Sequence, residues 1–312
     1  MKKTLIALAA LASISAFAQA VPGVTIYGLI DISYSKDSTQ AEGLLLNDKN
    51  STSKVGLKGS TDVGSGIKAN FNLEAGHILV TAKPAGEALF NRQAWAGLSG
   101  GFGEVRAGTQ DSVGFQANAG FDLNGAANDS QAALLAGVPT LGNGGKTLAQ
   151  YISPSFGGAK VQVGFMPKGD NLALVDANGK NSYAVAASYA TGPFAAAVSY
   201  ESAATDSLVQ AGNNWSAVSG SYNLGVAKLV ATYADGGTSF KGYNLGVAVP
   251  VAGATIGAQY SKNTDTNNTG VELFANKQVL KNTTAYVDYG RKHVDATGTD
   301  TDLYSLGLIW AF

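Results

Sequence analysis

Lys54, Lys58 and Lys68 alternate along the chain with Val55, Leu57 and Ile67. In an extended segment successive side chains point to opposite faces, so the three bases share one face and the apolar residues the other. The acids Asp111, Asp122 and Asp129 lie together in one long polar stretch, 111–147, with Lys146 near its end. Where fixed bases and acids face one another across water, they set a transverse field that orients dipolar solutes and penalises apolar ones. Bond-making chemistry has less to work with. The two histidines, His77 and His293, sit beside expected loops and there is no cysteine, so neither a nucleophile–base pair nor a zinc or iron site is expected. Asp265, and Asp295 with Asp300 and Asp302, offer oxygen ligands without a calcium coordination pattern. No catalytic residue, metal or cofactor is expected.

Positioning such charges takes strands. Ile67, Ala69, Phe71, Leu73 and Ala75 alternate with Lys68, Asn70, Asn72 and Glu74, and Ile30, Ile32 and Tyr34 with Asp31, Ser33 and Ser35. About sixteen segments of this kind follow one another, each of roughly ten residues, the length of a tilted strand crossing a bilayer. Tight turns at 62–66, 100–103, 157–158, 191–193, 223–225 and 250–253 alternate with longer polar connections. Those fall at 36–52, 78–90, 111–147, 167–181, 202–214, 235–239, 263–268 and 292–301. Short connections on one side and long ones on the other predict an all-β fold, a transmembrane antiparallel β-barrel. A soluble sandwich would pack poorly on a face so rich in alanine and glycine.

The tail supplies the closing strand. Tyr304, Leu306, Leu308, Trp310 and Phe312 form one large apolar face, expected to meet lipid. This strand is expected to pair with 25–35, because an open edge in hydrocarbon leaves backbone groups unbonded. Tyr34, Tyr183, Tyr189, Tyr200, Tyr222, Tyr233, Tyr260 and Tyr289 fall near strand ends, where amphipathic rings favour the headgroup level.

At the other end, Lys2 and Lys3, the apolar run 5–17 and the small-x-small site Ala18-Gln19-Ala20 read as an export leader, residues 1–20. The mature chain, 21–312, is expected to be a single barrel domain. The sequence has 21 basic and 22 acidic residues; without Lys2 and Lys3, acids exceed bases by three. That balance argues against a nucleic-acid partner. Charged residues are 14 % and glycines number 40, but 45 % hydrophobic content with spaced aromatics excludes disorder. Beyond the leader, the sequence has no run of roughly 20 apolar residues, as a membrane helix would need.

Several motifs resemble the general porins of Gram-negative bacteria, particularly the neisserial and Burkholderia-like branch. They are Val24-Thr25-Ile26-Tyr27-Gly28-Leu29-Ile30-Asp31, Ser53-Lys54-Val55-Gly56-Leu57-Lys58-Gly59-Ser60 followed by Leu73-Glu74, and Asn91-Arg92-Gln93-Ala94-Trp95-Ala96-Gly97-Leu98-Ser99-Gly100-Gly101-Phe102-Gly103. Tyr151-Ile152-Ser153-Pro154-Ser155-Phe156-Gly157-Gly158 and the terminal Phe312 match as well. The resemblance implies a barrel of sixteen strands whose third long loop folds into the lumen and narrows it, the place taken here by 111–147. It also implies a homotrimer in the outer membrane, surrounded by its lipid and lipopolysaccharide, that passes small hydrophilic solutes and ions by diffusion. Tyr304, Trp310 and Phe312 would be the assembly signal read by the barrel-assembly machinery. Arg92 occupies the position of a lumen arginine facing the constriction loop, and Lys54 matches another; Lys58, Lys68 and Arg106 are grouped with them as pore-lining bases.

Two departures bear on selectivity. Gly108-Thr109-Gln110 stands where the family commonly has Gly-Arg-Gln, and Gln150 precedes Tyr151 where an arginine is common. Two bases of the usual cluster are thus absent, and the expectation is weak charge selectivity tilted towards cations. A substrate-selective channel of the same fold, and an adhesin or barrel enzyme with a plugged lumen, stand as alternatives.

Overall fold

Backbone groups in hydrocarbon must bond within the protein, and pairing the ends of the chain achieves this. The computed structural model describes residues 23–78, 88–141, 145–168, 180–202 and 213–312. The first strand, β1 (Val24–Asp37), pairs antiparallel with the last, β17 (Thr299–Ala311), from Leu29 opposite Ala311 to Asp37 opposite Leu303. Phe312 and Gly28 then exchange two backbone hydrogen bonds of 3.0 Å. The expected seam is therefore present. The expected leader with its Ala18 and Ala20 site, and parts of four expected loops, lie outside the described residues.

Between the end strands run β2 (Leu44–Asn47), β3 (Lys54–Gly64), β4 (Ile67–Gly76), β5 (Gln93–Gly100), β6 (Gly103–Asp111), β7 (Gly145–Ile152), β8 (Ala159–Met166) and β9 (Ser182–Thr191). They continue as β10 (Phe194–Glu201), β11 (Trp215–Asn223), β12 (Lys228–Asp235), β13 (Lys241–Val251), β14 (Ala254–Asn263), β15 (Thr269–Leu280) and β16 (Thr283–Val294). β3 covers Val24–Leu29 of β1 and β2 covers Ile32–Ser35, so these two share one place in the wall. The closed antiparallel barrel accordingly has 16 strands. Three details differ from the sequence reading. β2 lies inside the expected loop 36–52; a tight turn at Lys281 and Asn282, with φ +58° at Asn282, joins β15 to β16; and the last long connection shrinks to the gap between Val294 and Thr299.

Alternation sets the two faces. Val198 and Val218 are 52 % and 61 % exposed, whereas their neighbours Ser199 and Ser219 are buried. Tyr304, Leu306, Leu308 and Trp310 on β17, and Phe312 just after it, are all exposed on the outer face. Their ring contacts, Tyr289 to Tyr304 at 5.2 Å and Trp310 to Phe312 at 5.1 Å, lie towards the two ends of the wall.

The connection from β6 to β7 carries two short helices. Ser112 caps α1 (Val113–Asn118), its hydroxyl accepting from the Phe115 amide at 3.1 Å, and a 3-10 turn, Ala119–Phe121, follows. α2 (Ala132–Ala136) ends on Gly137 at φ +72°, the left-handed stop that glycine allows. Neither helix would persist alone at five or six residues. Both are held by the inward face of the wall. Val113, Ala117 and Phe121 pack on Leu148, Met166, Ala186 and Ala197, while Ala133, Ala136 and Val138 pack on Trp215, Ala217 and Ala234. A strict polar-in pattern does not hold over these strands: the inward alanines make a small apolar bed for the helices. At Gly270 a Cβ would lie 2.0 Å from the Ala132 carbonyl oxygen, so only glycine admits α2 at this height.

Candidate functional site

Strand pairing brings Lys54, Glu74 and Arg92 together. Gly76, which ends β4, pairs with Lys54 at the start of β3, and Glu74 pairs with Gln93 at the start of β5. The inward Glu74 carboxylate accepts from Arg92 Nε at 2.6 Å and from the Tyr27 hydroxyl at 2.8 Å, with Lys54 Nζ at 3.6 Å. The Glu74 side chain is 4 % exposed. Two bases thus grip one acid, with a phenol completing its shell. A Cβ on Gly56 would strike the Tyr27 ring at 2.5 Å, so the absent side chain lets the tyrosine reach across β3.

Beside this cluster lies Arg106. Its guanidinium stacks 4.7 Å from the Trp95 ring and donates to Gln116 Oε1 at 2.7 Å and Gln150 Oε1 at 3.2 Å. Gln116 comes from α1 and also donates to the Asp111 carbonyl at 2.5 Å, which ties the wall to the loop. Together Lys54, Asn72, Glu74, Arg92, Gln93, Trp95, Arg106, Asp111 and Gln116 line a polar cavity of about 320 Å³. Three bases and two acids therefore meet at one level. Such an arrangement presents fixed charge and hydrogen-bonding groups to whatever enters.

The remaining expected residues are dispersed. Lys58 lies 4.9 Å over the Tyr27 ring, and Lys68 stands exposed at the turn end of β4, paired in register with Asp62. Asp122 and Asp129 do not join the bases at the cavity. Asp122 accepts from the amides of Asn124 and Ala126 and from Gln131 and Gln259, all within 3.2 Å. Asp129 is ion-paired with Lys49. Of the three loop acids only Asp111 borders the cavity, because the other two fasten the loop to itself and to the wall.

That fastening uses acids which alternation placed inside without assigning them a task. Asn124 donates to Glu272 at 2.8 Å and to Asp288 at 3.1 Å; Gln259 donates to Glu272 at 2.7 Å. Asp31 accepts from the Asn50 and Ser51 amides and from the Tyr286 hydroxyl. These carboxylates are almost wholly buried, each supplied with neutral donors, as a buried charge requires. At the far end, Glu201 accepts from the Gly114 amide at 2.8 Å. The buried strap of 112–141 thus lies flush on β9 to β16. The open cavity lies on the opposite side, against β3 to β6.

Sequence reasoning missed Glu74 as a site residue although its parity with Lys68 was visible. It missed Gln116 and Trp95 because only the fold brings them to Arg106. The departure at Thr109 loses its expected meaning: Thr109 meets Thr147 at 3.0 Å on the exposed outer face, away from the cavity. Gln150 does stand at Arg106. His77 and His293 bond to Asp48 at 3.0 Å and Asp300 at 2.7 Å, and Asp300 and Asp302 hold Arg291 at 3.2 and 3.3 Å.

A barrel with an inward charged cavity and a loop bedded on its inner wall invites comparison with known channels. Residues 5–297 match the family model described as Gram-negative porin. The chain is a Gram-negative porin. It is 32 % identical over 276 residues to outer membrane porin protein 32 of Delftia acidovorans, covering 81 % of this chain and 77 % of that protein. An outer membrane porin protein of Bordetella pertussis is 28 % identical over 292 residues, covering 80 % and 74 %. Among solved structures, an anion-selective porin from Comamonas acidovorans superposes with a TM-score of 0.78 over 93 % of this chain and 99 % of its own, at 24 % identity. The porin is thus an outer-membrane diffusion channel of a Gram-negative cell. In this family water fills the lumen, and the charges along its narrowest level decide what passes.

Proposed function

We propose that the cavity at Lys54, Glu74, Arg92, Arg106 and Asp111 is the constriction of this porin, narrowed by the segment 112–141, and that it passes small hydrophilic solutes and ions with a weak preference for anions. The observation that carries this reading is the charge count at one level, three bases against two acids lining the same cavity. Glu74 compensates Arg92 and Lys54 at close range, which keeps the preference weak. We place the preference on the anion side, against the tilt towards cations expected from the sequence, because of where the loop acids lie. Asp129 is ion-paired with Lys49 and Asp122 is held by neutral donors away from the cavity, and Thr109 does not line it. Lys58 and Lys68 extend the basic surface towards the turn side of the wall.

A reversal potential in a KCl gradient, with single-channel conductance on the same protein, tests the proposal. A modest anion preference supports it; a pronounced cation preference refutes it. We further propose a homotrimer whose barrels meet membrane lipid and lipopolysaccharide, and assembly through Tyr304, Trp310 and Phe312 by the barrel-assembly machinery. Cleavage after Ala20 is checked by N-terminal sequencing, and the trimer by its mass in mild detergent.

A further inference from the structure

The charges of the cavity are not equally engaged. Lys54 and Arg92 both close on the Glu74 carboxylate, at 3.6 and 2.6 Å, and the Tyr27 hydroxyl donates to the same group. That cluster is satisfied within itself. Arg106 and Asp111 line the same cavity, yet among the described residues neither belongs to an ion pair.

Neutral groups alone hold these two. Both hydrogen bonds of the Arg106 guanidinium, to Gln116 and Gln150, leave from Nη2, and its planar face rests on Trp95. The donors on Nη1 are therefore left to a ligand. Asp111 is tied to α1 through its backbone carbonyl, which accepts from Gln116 Nε2, and its carboxylate takes no part in that tie. One carboxamide thus spans the gap: Gln116 accepts from Arg106 through Oε1 and donates to Asp111 through Nε2. It fixes the guanidinium close to Asp111 at a constant spacing. Gln150, which shares Arg106 and donates to Gln162 at 3.0 Å, is neutral and adds no second base. The unpaired charges lining this cavity are then one base and one acid. A solute with a carboxylate alone gains at Arg106 and is repelled at Asp111, and a solute with an ammonium alone meets the reverse. A solute that carries both, close together, pairs with each.

We propose that Arg106 and Asp111 form a binding subsite for small zwitterions, of which an α-amino acid is the simplest: the carboxylate sits on Arg106 Nη1, the ammonium on Asp111, and Gln116 holds the spacing between them. The inference deepens the constriction reading and rests on it. The excess charge of Lys54 and Arg92 over Glu74 sets the weak anion preference for simple salts, whereas the Arg106 and Asp111 pair reads charge separation in a solute of zero net charge.

The test is uptake, at about pH 7 and low solute concentration, into liposomes that carry the folded porin. Its probes are labelled solutes with equal numbers of heavy atoms: glycine is zwitterionic, glycolate anionic, glycinamide cationic and glycolamide neutral. Glycine should enter about tenfold faster than glycolamide, each partly exposed ion pair contributing a factor of about three, and its uptake should saturate with concentration. Glycolate and glycinamide should both fall below glycine. Arg106→Gln and Asp111→Asn should each slow glycine by about threefold, and Asp111→Asn should also speed glycolate. Glycine within about twofold of glycolamide in the wild type, glycolate entering faster than glycine, or an order of solutes unchanged in both variants would each overturn the proposal. The wild-type comparison decides even where a variant does not assemble. Failure of the constriction reading shows separately, in the KCl permeability ratio of Glu74→Gln, a substitution that touches neither residue of the subsite.

Discussion

Replacing Glu74 by glutamine removes one negative charge from the cavity while keeping the side chain's shape. The carboxylate is bonded to Arg92 at 2.6 Å and faces Lys54 at 3.6 Å, so its loss frees two positive charges towards the water path. An ion passing about 5 Å away in a medium of dielectric constant about 80 feels a change of about 0.8 kcal/mol. The change has opposite sign for anion and cation, so their ratio shifts by about 1.6 kcal/mol. Screening in about 0.1 M salt, where the Debye length is about 10 Å, trims this to about 1 kcal/mol, a factor of about five. The anion-to-cation permeability ratio, taken from reversal potentials in a KCl gradient, should therefore rise about fivefold in Glu74→Gln. A ratio that stays put, or that moves towards cations, would show that ions do not pass this cavity and would refute the constriction assigned here.

Asn124→Leu removes the donors shared by Glu272 and Asp288 and leaves both carboxylates buried with fewer partners; at about 1–3 kcal/mol for each unsatisfied group, hydrogen-exchange protection of 119–136 should fall roughly tenfold or more while the wall strands keep theirs. Gly270→Ala drives a Cβ against the Ala132 carbonyl, so α2 should lift from β15 and current noise increase, measured in planar bilayers against an unchanged barrel melting temperature. Deleting Phe312 removes both backbone bonds to Gly28 and the ring that covers that glycine; the yield of assembled protein in outer membranes should drop sharply, and a normal yield would contradict the seam.

The wall was legible in the sequence because its rules are local. Period-two alternation places Ile32, Tyr34, Leu306 and Leu308 outside and Asp31, Ser33 and Glu74 inside irrespective of what lies across the barrel, and the apolar tail must close on β1 because hydrocarbon offers no other partner for its backbone. The same rule foresaw that Lys54 and Lys58 point inwards. The fate of the acids could not be read this way. Asp111, Asp122 and Asp129 look alike along the chain, yet one borders the cavity and two are held in anchorage, a choice made by residues distant in sequence: Gln259 for Asp122, and Lys49, in the connection before β3, for Asp129. The alanines on the inner face of β9 to β11 gave no sign of their purpose either, since a bed for α1 exists only once the loop has turned back onto it. Strand geometry is thus written residue by residue, whereas the charge that a passing ion meets at the cavity depends on which carboxylates border it and which are held away from it in the folded loop's anchorage. The sequence by itself determined a closed barrel with basic residues inside; the tertiary structure alone decided how many acids remain to oppose them.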